Sequence, residues 1–100
     1  VSLPAFGVAD AEARTEKEIL AALPGAQVRI LEIRRASEHP RIVDEFLVSY
    51  WIGVDVMVEA ANEESARRIA LTAGRDLLRG SRFGRTAWDR AELRGSIAGR

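Results

Sequence analysis

One hundred residues, 47% of them apolar and 30% charged, are the proportions of a single globular domain. No apolar run reaches the ~20 residues of a membrane-spanning helix, and the lack of cysteine excludes disulfides and thiolate metal sites and fits a cytoplasmic setting. A formal net charge of zero hides a gradient: residues 1–60 carry ten acids and six bases, about −4, whereas residues 61–100 carry five acids and nine bases, about +4.

Residues 1–9 are apolar but contain Pro4 and Gly7, which suits an edge strand or an irregular lead-in rather than a central strand. From Asp10 the chain is rich in helix formers, and a helix is expected over 10–23. Its start is either Asp10 as a cap or a Thr15/Glu18 capping box. Ala13, Glu16, Leu20 and Leu23 mark its inward stripe, with Ile19 alongside, and Pro24-Gly25 stops it. In the strand expected at 27–36 the apolar parity switches between Ile30 and Leu31, the mark of a bulge or of burial on both faces. A polar connection containing His39 and Pro40 follows.

The organising stretch is 46–59. Phe46, Val48, Tyr50, Ile52, Val54, Val56 and Val58 alternate with Leu47, Ser49, Trp51, Gly53, Asp55, Met57 and Glu59. Alternate residues of a strand share a face, so the even set predicts a core-facing surface of a central strand near 46–60. Taken from residue 42, such a strand would run ~60 Å, too long for a domain with a radius of gyration of ~13 Å; a start near Phe46 and a bend at Gly53 are expected. Asn62-Glu63-Glu64 opens a second helix. Ala66, Ile69, Ala70, Ala73 and Leu77 form its inward stripe, and Gly80 closes it. Residues 82–94 read as a last strand, with a short helix opened by Thr86-Ala87-Trp88-Asp89 as the alternative; 95–100 read as an irregular tail.

The order β-α-β-β-α-β predicts an α+β fold, a ferredoxin-like βαββαβ sandwich with two helices on one face of an antiparallel sheet, as one domain over 1–100. That arrangement carries regulatory modules, RNA-binding domains and small enzymes alike, so function must come from side chains.

Catalytic chemistry is hard to assemble. His39 is the only histidine and lies in a polar turn, no serine occupies a Gly-x-Ser-x-Gly elbow, and Gly80-Ser81-Arg82-Phe83-Gly84 lacks the Gly-Lys-Ser/Thr ending of a phosphate loop. No catalytic set, metal site or cofactor is predicted. With helices on the even face, Leu47, Trp51 and Met57 are left on the odd one, with Asp55 and Glu59 at its far end. Three readings fit: a sheet-to-sheet homodimer, a cleft for a small ligand, or a surface covered by residues 1–9. A non-enzymatic homodimeric interaction or small-ligand-binding module leads; a small dimeric enzyme or isomerase working in an open-face cleft with Asp55, Glu59 or an arginine is the alternative. Arg75, Arg79 and Arg82, close together around the end of the second helix, are candidate anion ligands for phosphate or RNA. Nucleic acid is disfavoured, because RNA readers of this fold present several open-face aromatics whereas Phe46 and Tyr50 point with the even set. No membrane contact is expected.

Overall fold

A computed structural model describes residues 1–36 and 42–93; His39 and Arg94 lie outside them. The elements in chain order are β1 (Ser2–Ala5), α1 (Val8–Ala22), β2 (Gln27–Arg35), β3 (Asp44–Gly53) and α2 (Glu63–Leu77). They fall into two compact units, one over Val1–Asp55 and one beginning at Val56. None of the described helices is long and apolar enough to cross a membrane. The fold is α+β, with a three-stranded antiparallel sheet and two helices.

In the first unit β3 is the central strand of a sheet ordered β1-β3-β2. The period-2 pattern does what it predicts: Asp44, Phe46 and Val48 are buried while Glu45, Leu47, Ser49 and Trp51 are exposed. Phe46 and Val48 form a core with Leu3 and Ala5 of β1 and Ala11 of α1, edged by Val1, Ile30 and Ile33. Each large apolar side chain fully buried there contributes roughly 1.5–3 kcal/mol. The strand ends at Gly53, earlier than the alternation alone suggests; residues 54–60 have no regular structure.

Both outer strands carry devices that suit an edge. Val1 and Val48 exchange two backbone hydrogen bonds, Val48 N to Val1 O at 2.7 Å and Val1 N to Val48 O at 2.8 Å. Hydrogen-bonded and non-hydrogen-bonded pairs alternate along an antiparallel ladder, and Pro4 pairs with Glu45 three residues further on. The nitrogen of Pro4 therefore faces away from β3, where the missing donor costs the ladder nothing. On the other side, the register of β2 against β3 slips between Ile30 and Glu32, placing a bulge at Leu31 where the parity switch predicts one.

α1 packs against all three strands. It buries Ala11, Thr15 and Ile19, and Leu23 beyond its end is buried as well. This spacing of four replaces the expected stripe: Ala13, Glu16 and Leu20 are exposed. Thr15 escaped the sequence pattern because it is polar, yet its hydroxyl donates to the Ala11 carbonyl at 2.8 Å and so enters the core satisfied. Neither expected cap opens the helix. It begins at Val8, and the Asp10 carboxylate reaches back to accept from Phe6 N at 2.9 Å and from Arg14 Nε at 2.8 Å. The Phe6 N–H, the largest influence, holds the Asp10 pKa below its ordinary 3.8; desolvation opposes it, and the hydrogen bond and charge of Arg14 each add a smaller lowering effect. At the other end Gly25 takes φ 85°, the left-handed turn that lets Pro24-Gly25 stop the helix.

In the second unit α2 starts as expected: the Asn62 side chain accepts from Ser65 N at 2.8 Å, with Glu63 and Glu64 in the first turn. Its inward face differs from the expected stripe. The buried position is Gly74, flanked in the same i, i+4 row by half-buried Ala70 and by buried Leu78, whereas Ile69 and Leu77 are exposed. The reason is Trp88. A Cβ at position 74 would lie 2.9 Å from Trp88 Cδ2 and 3.2 Å from Cε3, so the indole is seated on bare helix backbone. Residues 82–93 form neither the last strand nor the alternative helix. Instead the chain winds through turns, with Ser81 N and Oγ both donating to Leu78 O, Gly84 N to Ser81 O, and Thr86 N and Oγ1 both to Phe83 O. These local bonds satisfy backbone groups as far as Thr86, and they accompany the burial of Phe83.

Candidate functional site

Two surfaces gather the polar and aromatic residues that the sequence singles out, one in each unit. The first is the sheet face opposite α1. Leu47 is 42% exposed and Trp51 48%, two residues on either side of Ser49 along β3. Neither is covered by residues 1–9, whose Leu3 and Ala5 go to the core on the other face. The covered-surface reading is thereby removed.

β2 adds to this face what the sequence did not mark. Arg29 is paired with Trp51 in the ladder, and its guanidinium sits 5.7 Å from the indole centroid, a cation–π contact. Leu31, pushed out by the bulge, is 61% exposed. The indole also lies along its own strand: a Cβ at Gly53 would come within 2.6 Å of Trp51 Cη2. Gly53 therefore accommodates the chain's own tryptophan, not an approaching partner. The rest of the face is charged in both signs, with Arg34 pairing at 3.6 Å with Glu32 and the Ser2 hydroxyl donating at 2.8 Å to Glu45.

The other residues assigned to this face are not on a strand of this sheet. Asp55 follows the end of β3, and Met57 and Glu59 belong to the irregular stretch beyond it, in the second unit. Met57 is 97% exposed. The cause is the stop at Gly53: without ladder pairing, parity no longer fixes a common face. No group of described His, Cys, Asp or Glu residues could hold a metal ion.

The second surface is a cavity of about 540 Å³ at the C-terminal end of α2, lined by Arg75, Arg79 and Gly80, then by Gly84 through Trp88. Arg75 lies in the last turn of α2, and Arg79 follows four residues on, just beyond its end at Leu77. Asp76 holds Arg79 with a 2.6 Å ion pair. Gly80 takes φ 84° and turns the chain beneath them, and no atom would crowd a Cβ there. Two of the three expected arginines thus meet at one cavity. Arg82 is not in its lining, and Arg85 takes the place expected for it. The turns after α2 cause the exchange, since three residues no longer return the chain to the helix as a strand lead-in would. Trp88 was missed too; its signal was Gly74, a glycine inside a helix, where a close neighbour is the usual reason.

No family model matches this chain, and no curated protein or solved structure matches it. Both surfaces are therefore interpreted from their own chemistry.

Proposed function

We propose that this protein is a non-enzymatic interaction module that forms a homodimer through the open face of its sheet. The observation that carries the reading is the exposure of Leu47, Trp51 and Leu31 on one three-stranded face, without a covering segment in the first unit. Edge pairing is the rival route to self-association, and it is hindered on both sides, by Pro4 on β1 and by the bulge and arginines of β2. The face is what remains.

A two-fold axis near Ser49 would set Leu47 against the partner's Trp51 and repeat the contact in reverse. Charged residues of both signs, Arg29, Glu32, Arg34 and Glu45, would surround that contact. The strands are four, nine and ten residues long, and at ~3.3 Å per residue and ~4.8 Å between strands they span roughly 360 Å² per protomer. Two such faces give about 730 Å², below the ~1,000 Å² of stable specific interfaces, so a weak dimer, in the micromolar range, is expected. The sheet order β1-β3-β2 with α1 as the crossover also supports the ferredoxin-like reading, for its first three strands.

Light scattering at micromolar concentration tests the dimer. The parent should run at about twice the 11.0 kDa of one chain, and Trp51→Glu should stay folded and run as a monomer. A monomeric parent, or a Trp51→Glu protein that remains dimeric, contradicts the proposal.

A further inference from the structure

We propose that the arginine cavity at the end of α2 binds a small phosphate monoester carrying a planar ring, with Arg75, Arg79 and Arg85 holding the phosphate and Trp88 forming the wall for the ring. This inference rests on no part of the dimer reading.

Three arginines share one cavity lining: Arg75 from the last turn of α2, Arg79 from just beyond its end, and Arg85 from the turns that follow. Only Arg79 is committed, to Asp76. Among the described residues no carboxylate forms an ion pair with Arg75 or Arg85. Guanidinium pairs phosphate oxygens through parallel N–H donors, so an unpaired set suits that group better than it suits a single carboxylate.

The position is not ideal for an anion, because a helix C-terminus carries about half a negative charge. Three guanidiniums less the Asp76 carboxylate leave two positive charges, and these outweigh it. The last carbonyls are also partly occupied: Leu78 O by Ser81 N and Oγ, Asp76 O by Arg79 N.

The ring follows from Trp88. Its indole is pressed on Gly74 with Cδ2, Cε3 and Cγ all within 3.3 Å of where a Cβ would be, so the side chain is fixed against the helix while it also lines the cavity. A wall already fixed in place loses little freedom when a ligand stacks on it. The volume of about 540 Å³ falls within the ~300–1,000 Å³ of small-molecule sites.

Calorimetric titration at low salt is the test, with adenosine 5′-monophosphate, inorganic phosphate and adenosine as probes. The monophosphate should bind saturably, one per chain, more tightly than inorganic phosphate and at least tenfold more tightly than adenosine. Arg75→Ala and Arg85→Ala should each weaken it at least tenfold. Trp88→Ala should weaken the monophosphate but not inorganic phosphate. Arg90→Ala, whose guanidinium is paired to Glu92 at 2.7 Å and lies outside the lining, should leave binding unchanged. No saturable binding, equal binding of adenosine, or an equal loss in Arg90→Ala would overturn the assignment. So would a single-stranded RNA bound far more tightly than the monophosphate with a steep salt slope, since that marks diffuse phosphate attraction rather than a site.

Discussion

The chain's two tryptophans are both seated on a glycine, Trp51 over Gly53 and Trp88 over Gly74, yet they make different surfaces. Trp51 lies on a strand, its ring along the sheet, with Leu47 and Leu31 exposed around it and one arginine stacked on it. Trp88 lies across a helix beside a cavity whose polar groups are arginines. A missing Cβ gives each ring its seat. What surrounds the ring then decides the use: apolar neighbours on a flat face suit a second protein surface, guanidiniums around a hollow suit a small anion.

The largest contrast to test is between the two faces of β3. Phe46→Ala should cost about 3–5 kcal/mol of stability, since the ring is fully buried and leaves a cavity. Leu47→Ala, next in sequence, should change stability by no more than about 0.5 kcal/mol at a concentration where the protein is monomeric. Denaturant titration of both variants measures the difference, and a similar loss at Leu47 would mean that the open face is covered within one chain.

The two glycine seats should also differ. At Gly74 a new methyl group meets a fixed indole; overpacking costs ~1–3 kcal/mol, partly offset by the ~1 kcal/mol that alanine gains over glycine in a helix. A net destabilisation of about 1 kcal/mol is expected for Gly74→Ala. At Gly53 the methyl meets a half-exposed ring able to swing away, so Gly53→Ala should leave stability within about 0.5 kcal/mol but shift Trp51 emission and weaken the dimer. Thermal melts and light scattering on the pair separate the outcomes.

The smallest effect is at the start of α1. The Asp10 pKa is lowered by the Phe6 N–H and by Arg14, so its ionised form is favoured in the folded state. That contribution is fully present above the ordinary value of 3.8 and is lost as pH falls through the lower, folded value. Melting temperatures of the parent and Asp10→Asn should therefore differ at neutral pH and converge below pH 3.8. Asparagine keeps an acceptor for the Phe6 N–H, so the difference isolates the charge. A gap that persists unchanged at pH 2 would contradict the assignment.

The elements most legible in the sequence were those with a strong period or an unambiguous cap. The alternation from Phe46 to Ile52 marked the central strand, Asn62 marked the start of α2, and the parity switch at Ile30-Leu31 marked the bulge. Less legible were positions where a neighbour's shape matters more than hydropathy. Thr15 is buried because its hydroxyl bonds one turn back, and Gly74 is buried because Trp88 needs the room; neither carries an apolar signal. The alternation past Gly53 misled, because valines two apart do not make a strand without a ladder partner. Two of the three arginines, Arg75 and Arg79, were readable from their four-residue spacing. The third depended on how tightly the chain turns after Leu78, which put Arg85 rather than Arg82 at the cavity.

The division of labour between the two tryptophans can be observed directly. Trp88→Phe leaves Trp51 as the sole tryptophan, and its emission can be followed from nanomolar to high-micromolar protein, with and without adenosine 5′-monophosphate. The emission should move to shorter wavelength as concentration rises, because the half-exposed indole becomes buried against a second copy, and the nucleotide should leave it unchanged. A Trp51 emission constant over the whole concentration range would contradict the account, since the open face would then stay in water.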